Sequence, residues 1–275
     1  MKKQSIIFIL ALSLVFIQKL NAQTIPPTYT KGAMNDMGAN FDLNIWLDTL
    51  SDKSHLYGMG PYDKMKGEIT VFDGKPFYAS AFVKSQAVVS QNWDIESPFF
   101  VCSNVKEWEA FNLTESIHSV TDIQENVAKI AKTQGYDLNE PFSFRVTGNF
   151  DKVTCHIVTP RNSEIDGYRQ NVNSQNFSFE NISGEVLGFY SDHHQGIFTG
   201  SKSFVHVHFL KDDQTFMGHL DKITSDNNSL KLYLPKRQTK VKTEMRVNDT
   251  DFSKGRLGNI QNIDLEDLVK FHGHL

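Results

Sequence analysis

The segment Phe204-Val-His-Val-His-Phe-Leu210 carries the clearest structural signal in the chain. His206 and His208 are separated by one residue, which is the side-chain period of a β-strand. The pattern therefore predicts a strand with both histidines on one face and the apolar residues between them on the other. Residues 211–215 are polar and turn-forming, so the chain can fold back and set His219 beside the pair.

Three imidazoles from two adjacent strands form the ligand set of an open catalytic metal site, with a position left for water or substrate. Imidazole nitrogens suit zinc and also accept other first-row divalent metals. A His-x-His pair on a strand is more often two ordinary polar side chains than a metal site, and the third histidine at hairpin distance makes the two interpretations comparable. The hairpin pattern alone leaves both interpretations open.

The amino terminus has the pattern of a cleaved signal peptide. Lys2 and Lys3 precede an apolar run from Ile6 to Ile17, and Leu20-Asn-Ala22 provides a small-residue cleavage site. The run is shorter than the roughly 20 apolar residues of a membrane-spanning helix. We therefore predict export, to the periplasm or the medium, of a soluble protein of about 250 residues. A net charge of −4 argues against nucleic acid as the main partner.

Gly67 to Tyr78 has the pattern of a β-hairpin. Two apolar runs meet at Asp73-Gly74, a favoured pair for a tight hairpin turn. Glu68 lies at the start of the first predicted strand and faces away from Ile69 and Val71. An acidic residue at a strand end is most often solvated, so Glu68 does not indicate a site by itself.

A second hairpin is predicted from residues 141–147 and 152–158, joined at Gly148-Asn149. Arg145 lies on its first strand. There it either binds a carboxylate or is a solvated charge. The polar, irregular stretch from Pro160 to Asn176 then makes the best domain boundary.

Two helices are predicted in the amino-terminal half. Apolar residues at near-helical spacing suggest a short helix over residues 41–50, and Thr121 starts a longer helix that Gly135 ends. The two cysteines, Cys102 and Cys155, allow at most one internal disulfide, and the sequence does not decide whether they pair.

Several blocks of the sequence, taken in order, resemble the α-acetolactate decarboxylases, a family of zinc-dependent lyases. The longest is Gly58-Met-Gly-Pro-Tyr-Asp-Lys-Met-Lys-Gly-Glu-Ile-Thr-Val-Phe-Asp-Gly-Lys-Pro-Phe-Tyr78, which is similar to the family pattern G-x-G-T-F-x-x-L-x-G-E-h-h-h-x-D-G-x-x-Y, with h apolar. The other blocks are Ser97-Pro-Phe99, Arg145 to Val153, Gly184 to Phe189, and His206 to Leu220. Together they cover most of the mature chain.

The resemblance implies a role for each matching residue. His206, His208 and His219 correspond to the three zinc ligands, Glu68 to a glutamate at the metal, and Arg145 to an arginine on the substrate side. The implied fold is α/β of the α+β type in two parts. An amino-terminal mixed β-sheet with helices (residues 23–160) follows the signal peptide (residues 1–22) and precedes a small β-barrel with the metal site (residues 161–275). Family members are commonly homodimers.

Two positions depart from the family pattern. Pro61 stands where the family has a threonine, and proline offers neither a hydroxyl nor an N–H. In Asp267-Leu-Val-Lys-Phe-His272, the histidine stands where the family has a second glutamate. If His272 reaches the metal, it supplies a neutral ligand or a group that titrates near neutral pH. We therefore include His272 with Glu68 and Arg145 among the candidate catalytic residues.

The implied reaction is Zn²⁺-dependent decarboxylation of acetolactate, or of a related 2-hydroxy-3-oxo acid, to an acetoin-type product and CO₂. One alternative is an exported metal-binding β-domain without this activity, similar to the small plant-and-prokaryote conserved domains that share the histidine hairpin. Another is a lyase with a different substrate. Glu68 and Arg145 are expected only of the decarboxylase, so they favour the first interpretation.

Overall fold

The computed structural model describes residues 23–37, 41–83, 86–159, 173–226 and 229–239. Within these ranges the protein is mostly β-structure with one α-helix and two short 3-10 helices, an α+β composition. The described residues belong to one compact unit, residues 22–240. The predicted signal peptide and the predicted boundary at residue 160 lie outside the described residues and stay predictions.

The strands are β1 (Gln23–Thr24), β2 (Thr28–Lys31), β3 (Ile45–Trp46), β4 (Leu56–Tyr62), β5 (Gly67–Phe72), β6 (Lys75–Val83), β7 (Gln86–Ser90), β8 (Glu96–Ser97), β9 (Phe100–Asn104), β10 (Trp108–Asn112), β11 (Phe142–Thr159), β12 (Asn173–Tyr190), β13 (Val205–Lys211), β14 (Met217–Thr224), β15 (Lys231–Pro235) and β16 (Gln238–Thr239). The helices are α1 (Val120–Thr133) and the 3-10 helices Met34–Asp36 and Leu47–Thr49.

The first large sheet is antiparallel, with the strand order β2-β9-β4-β5-β6-β7. Its β5–β6 hairpin confirms the turn predicted at Asp73-Gly74. Both turn residues have positive φ, 46° and 74°, as a tight two-residue hairpin turn requires.

Strand β5 presents different side chains to its two faces. Ile69 and Val71 are fully buried in a small apolar cluster on one face of the sheet. Glu68 and Thr70 point the other way and contact strands of the second sheet. This alternation, which the sequence pattern predicted, carries a carboxylate and a hydroxyl into the interior.

The second large sheet has the order β10-β15-β11-β12-β13-β14, and β14 also pairs with β11. The four strands β11, β12, β13 and β14 therefore form a closed ring of antiparallel pairings. Closure brings β11 and β13 to the two sides of β14, and this arrangement assembles the site described below.

The hairpin predicted about Gly148-Asn149 is wrong. Residues on both sides of that pair belong to the single 18-residue strand β11. The equally long β12 runs antiparallel beside it from the pair Phe142–Tyr190 to the pair Thr159–Asn173, so the backbone pairing continues past the predicted turn. Gly148 takes a φ of 148°, which glycine adopts without strain and without ending the strand.

The short helix predicted over residues 41–50 is also wrong. This segment contains strand β3 and one 3-10 turn at Leu47–Thr49. Ile45 pairs with Ser97 of β8, and this tertiary pairing outweighs the weak helical spacing. By contrast, the longer helix is confirmed as α1. The Ser119 side chain caps it by accepting from the backbone N–H of Asp122, and Gly135 follows its end with a φ of 76°.

A large apolar core joins α1 to the inner faces of both sheets and includes many fully buried phenylalanines, among them Phe77, Phe142 and Phe209. Cys102 and Cys155 are both free and buried. Among the described helices, none has the length and apolar character needed to span a bilayer.

Candidate metal and active site

The predicted histidine hairpin is present as β13 and β14. His208 and His219 are direct cross-strand partners, and His206 lies two residues before His208 on the same face. The three ring centroids are separated by 5.0, 5.1 and 5.5 Å. His206 is 5% exposed and His208 is 0% exposed. The structure thus gathers the three predicted ligands into one cluster, in which His219 is partly exposed.

His156 is a fourth histidine in the cluster, and it was not among the predicted ligands. It lies on β11 as the cross-strand partner of His219, with ring centroids 4.5 Å apart. A register shift between Thr154 and Cys155 comes just before it, and such irregularities re-aim side chains. A Cβ on Gly218 would lie 2.9 Å from the His156 carbonyl oxygen, so glycine allows β14 to approach β11 here.

Asp221 lies beside the rings of His156 and His219. Its two carboxylate oxygens are 2.8 and 2.9 Å from Nδ1 of His156. One of them is also 3.6 Å from Nδ1 of His219. In the part of the chain that the structure describes, the possible ligand atoms of these three residues all lie within 4.8 Å of one another. His206 and His208 adjoin this group.

The Glu68 carboxylate enters the cluster from the first sheet. It is 4% exposed, and its Oε1 accepts from the backbone N–H of Val158 at 3.2 Å. Its Oε2 lies 3.7 Å from Nε2 of His208, and its Oε1 lies 4.0 Å from Nε2 of His156. Burial raises the pKa of Glu68 to about 7, although the nearby His156 opposes that rise. The structure therefore places Glu68 beside the histidines.

Thr70 fixes the orientation of His208. Its hydroxyl donates to Sδ of Met217 at 3.0 Å and lies 2.7 Å from Nδ1 of His208. A hydroxyl has one proton, so its oxygen accepts from the Nδ1–H of His208. The network thus assigns the tautomer in which Nε2 of His208 carries a lone pair directed toward Glu68. Two facing acceptors of this kind require a proton or a cation between them.

The pKa values of the four imidazoles are shifted in different directions. Burial lowers the pKa values of His206 and His208 well below the ordinary value, and neighbouring histidines lower them further. Burial also lowers the pKa of His219. For His156, burial acts to lower the pKa, but the hydrogen bond with Asp221 and the charge of Glu68 outweigh it and raise the pKa. Three of the imidazoles therefore favour the neutral form that binds metals.

Unsatisfied nitrogens indicate that the cluster fits a metal ion. Among the described residues, the buried atoms without a hydrogen-bond partner include Nδ1 of His206, Nε2 of His208 and Nδ1 of His219. Buried polar atoms are normally satisfied, so these point to a missing ligand. Rings that share one zinc ion tetrahedrally, with Zn–N of about 2.0–2.1 Å, have centroids about 5.2 Å apart. The measured spacings of 5.0 to 5.5 Å agree.

A cavity of about 390 Å³ opens onto the cluster. Its lining includes Glu68, His156, His206, His219 and Asp221, together with apolar side chains. The volume suits a small organic molecule. The titratable groups and the cavity thus form one site.

Arg145 is not brought to this cluster. Its Nε donates to Oε1 of Glu185, and its guanidinium lies over three aromatic rings at 5.1 to 5.5 Å. The rings belong to Tyr57, Trp108 and Tyr233. The cavity lining within the described residues does not include Arg145. Its predicted role on the substrate side stays a prediction.

We expect the Arg145→Lys variant to lose about 2–3 kcal/mol of unfolding free energy, because an ammonium cannot reproduce the planar contact with Glu185 and three rings. Chemical denaturation measures the loss, and Glu185→Gln is the matched variant, with a similar expected loss. Metal affinity should stay unchanged in both. Reduced turnover of Arg145→Lys at unchanged stability would contradict this and support the substrate-side role.

Acid should destabilise the metal-free protein. His206 and His208 have depressed pKa values in the folded state, so their contribution to stability is present above the unfolded pKa of 6.5 and is lost as pH falls below it. Each histidine contributes up to about 1.4 kcal/mol per pH unit. Glu68 acts in the opposite sense, because its raised pKa stabilises the folded state at low pH and this contribution is lost between 4.5 and about 7.

Chemical denaturation of the metal-free protein, in the presence of a chelator and at pH values between 7 and 5, measures the sum of these opposing contributions. We expect the unfolding free energy to fall on acidification, since the lowered pKa values of three histidines (His206, His208 and His219) outweigh the raised values of Glu68 and His156. The fall should be steeper in Glu68→Gln, where one opposing group is removed. An unfolding free energy that rises toward pH 5 would contradict the burial of neutral imidazoles.

His272 and the rest of residues 240–275 lie outside the described residues, so the structure gives no position for this candidate. Pro61, the other position that departs from the family pattern, lines the cavity.

His156 and Asp221 are the site residues that sequence reasoning missed. The available signal was a polar His in the otherwise apolar run Cys155-His-Ile-Val158, but its partners lie on other strands.

Comparison with known proteins identifies the family. The sequence profile described as alpha-acetolactate decarboxylase matches residues 37–259 of the chain. The chain belongs to the alpha-acetolactate decarboxylase family. The matched range contains the histidine hairpin, Glu68, His156 and Asp221, and it ends before His272.

Curated members of the alpha-acetolactate decarboxylase family are distant relatives. The enzyme of Lactococcus lactis subsp. cremoris is 26% identical over 176 residues, which span 64% of this chain and 70% of the relative. The enzyme of Methanosarcina mazei is 24% identical over 223 residues, which span 78% of this chain and 70% of the relative.

The fold is also shared with solved structures. The crystal structure of acetolactate decarboxylase from Bacillus subtilis subspecies spizizenii superposes with a TM-score of 0.61, covering 78% of this chain and 87% of that one. The sequence identity is 19%, so this likeness shows a common fold.

Proposed function

We propose that this protein is a metal-dependent decarboxylase that converts acetolactate, or a closely related 2-hydroxy-3-oxo acid, to an acetoin-type product and CO₂. The supporting observation is a buried carboxyl group, Glu68, set against a histidine cluster at a small-molecule cavity, in a chain of this family. Membership of the family supports a decarboxylase, and the histidine and aspartate groups support a metal.

The reaction breaks the bond between C2 and the carboxylate carbon. CO₂ departs, and the electron pair remains as an enediolate that includes the neighbouring carbonyl. His206, His208 and His219 would hold a divalent metal ion, which as a Lewis acid stabilises this developing negative charge. Zinc is the proposed metal because imidazole nitrogens are among its preferred ligands, and other first-row ions share that preference.

Glu68 would manage the proton that completes the reaction. With a pKa raised to about 7, its carboxyl group keeps its proton on a substantial fraction of molecules at neutral pH. That proton moves to C2 of the enediolate, where the carboxylate was bonded, and gives the hydroxyketone. The carboxylate left on Glu68 is then reprotonated from solvent.

The apolar part of the cavity would bind the rest of the substrate. Met65, Phe99 and Val205 lie along its wall beside the polar cluster. Methyl groups of a branched hydroxy-oxo acid fit such surfaces, and the exclusion of water strengthens the electrostatic interactions at the reacting end.

The test is acetoin production from racemic acetolactate by the purified protein, first loaded with Zn²⁺ and then treated with chelator. We expect acetoin formation well above the spontaneous rate, with loss on chelation and recovery on adding metal back. A folded, metal-loaded protein without activity would overturn the decarboxylase. It would favour either a metal-binding β-domain or a lyase with a different substrate.

Four further predictions belong to this proposal. The metal ion bound in the cell is zinc, and metal analysis of the purified protein tests this. His272 acts at the metal, and a lower metal affinity of the His272→Ala variant would support this role.

The other two predictions concern the whole protein. The mature chain begins after residue 22 and is exported, and the amino-terminal sequence of the secreted protein tests this. The protein is a homodimer, and light scattering tests this.

The pairing ring of β11 to β14 supports a small barrel as the element that holds the metal ligands, although β11 precedes the predicted barrel of residues 161–275. In this proposal the first sheet supplies the acid–base group and the ring supplies the ligands. A fragment of residues 161–275 alone lacks β11 and should therefore bind metal poorly, which calorimetry can measure.

A further inference from the structure

Three histidines stand side by side across three neighbouring strands. His208 on β13 pairs with His219 on β14, and His219 pairs on its other side with His156 on β11. Cross-strand partners project from the same face of a sheet, so the three rings form a row. The ring of His156 is 4.5 Å from that of His219 and tilted by 30° to it. His156 is therefore as much part of the row as the two ligands predicted from the hairpin.

Asp221 fixes the tautomer of His156. Both carboxylate oxygens lie within 2.9 Å of Nδ1, so this nitrogen carries the hydrogen and donates it. The neutral ring then has a lone pair on Nε2. A carboxylate that holds one ring nitrogen while the other nitrogen binds a metal is the usual arrangement around histidine ligands. The same carboxylate lies 3.6 Å from Nδ1 of His219.

The Glu68 carboxylate faces two of these Nε2 atoms at once. Its Oε2 is 3.7 Å from Nε2 of His208, and its Oε1 is 4.0 Å from Nε2 of His156. Both separations are too long for hydrogen bonds. When His156 is neutral, as a ligand must be, the carboxylate faces two imidazole lone pairs, which is unfavourable unless a cation lies among them. His156 is placed relative to Glu68 much as the predicted ligand His208 is.

We propose that His156 is a further ligand of the metal ion at this site, with Asp221 holding its ring in the binding orientation. The inference rests on the proposed function only in requiring a metal ion at the histidine cluster. The donor set then consists of four imidazoles from β11, β13 and β14, beside the Glu68 carboxylate. His156→Gln or His156→Ala removes a ligand, whereas Asp221→Asn removes only the support of that ligand.

The test uses Co²⁺ bound to the full chain, with affinity measured by competition against a chromophoric chelator. We expect His156→Ala and His156→Gln each to weaken binding by more than about 100-fold, and Asp221→Asn to weaken it by about 10- to 100-fold. X-ray absorption should count one imidazole fewer in the His156 variants and an unchanged number in Asp221→Asn. His118→Ala is the control, since His118 is exposed and is not among the described residues that line the cavity.

Circular dichroism of each metal-free variant shows whether the sheets are intact, and the glutamine variant serves if alanine disturbs them. Unchanged affinity in both His156 variants overturns the inference. So does a reduced affinity with an unchanged imidazole count, which would move His156 to the substrate side of the cavity. Neither result affects the proposed decarboxylase, whereas a wild-type protein that binds no Co²⁺ overturns its metal dependence as well.

Discussion

Replacing His208 with alanine is expected to abolish acetoin formation, with kcat/KM reduced by at least about 10³-fold, since both metal binding and charge stabilisation depend on this ring. His208 is fully buried and is held at Nδ1 by Thr70, so its Nε2 is aimed at Glu68 and at no hydrogen-bond partner within the described residues. Removing the ring deletes the fully buried ligand at one end of the row of His208, His219 and His156. The readouts are acetoin production and bound metal per chain.

His118→Ala again provides the control, because it removes an exposed imidazole and should leave both readouts unchanged. His208→Gln separates the loss of a ligand from the loss of volume, since it fills more of the space and can still bond to Thr70. Full activity in either His208 variant, with metal bound at the wild-type level, would exclude His208 as a ligand.

Glu68→Gln is expected to lower kcat by about 10²- to 10⁴-fold, the usual contribution of general acid–base catalysis. The amide keeps the shape of the side chain and can accept from the N–H of Val158, as the carboxylate does. It cannot transfer a proton at neutral pH. Because His206, His208 and His219 remain, the variant should still bind metal, although more weakly.

The informative comparison is between turnover and metal affinity in the same preparation. Glu115→Gln is the matched control, since Glu115 is an exposed carboxylate paired with Lys129. If Glu68→Gln decarboxylates acetolactate at the wild-type rate, the proposed proton transfer by Glu68 is wrong. If it loses its metal entirely, Glu68 acts chiefly as a ligand.

The sequence predicted the parts of the site that are encoded by local spacing. The two-residue spacing of His206 and His208 is the period of a strand, and five polar residues make the turn that returns His219, so the hairpin was predictable. In the same way, alternation along Gly67 to Phe72 placed Glu68 opposite Ile69, as observed. The local pattern was sufficient because successive side chains in a strand point to alternate faces of the sheet.

Predictions failed where long-range pairing outweighed local preference. A Gly-Asn pair indicates a turn by itself, but β12 pairs with residues on both sides of Gly148, and the strand continues. This continuity carries β11 far enough to reach β14, with His156 opposite His219. Arg145, on the same strand, instead lies in a cage made by Glu185 and three aromatic rings.

The sequence by itself thus determined the histidine hairpin, the carboxylate strand and the resemblance to a family. Only the tertiary structure decided that β5 carries Glu68 and Thr70 onto the hairpin, and that ring closure adds His156 and Asp221. The physical reason is that these contacts join residues far apart in the chain. Their energies depend on burial and on the pairing of whole strands, and neither quantity is encoded in the spacing of nearby residues.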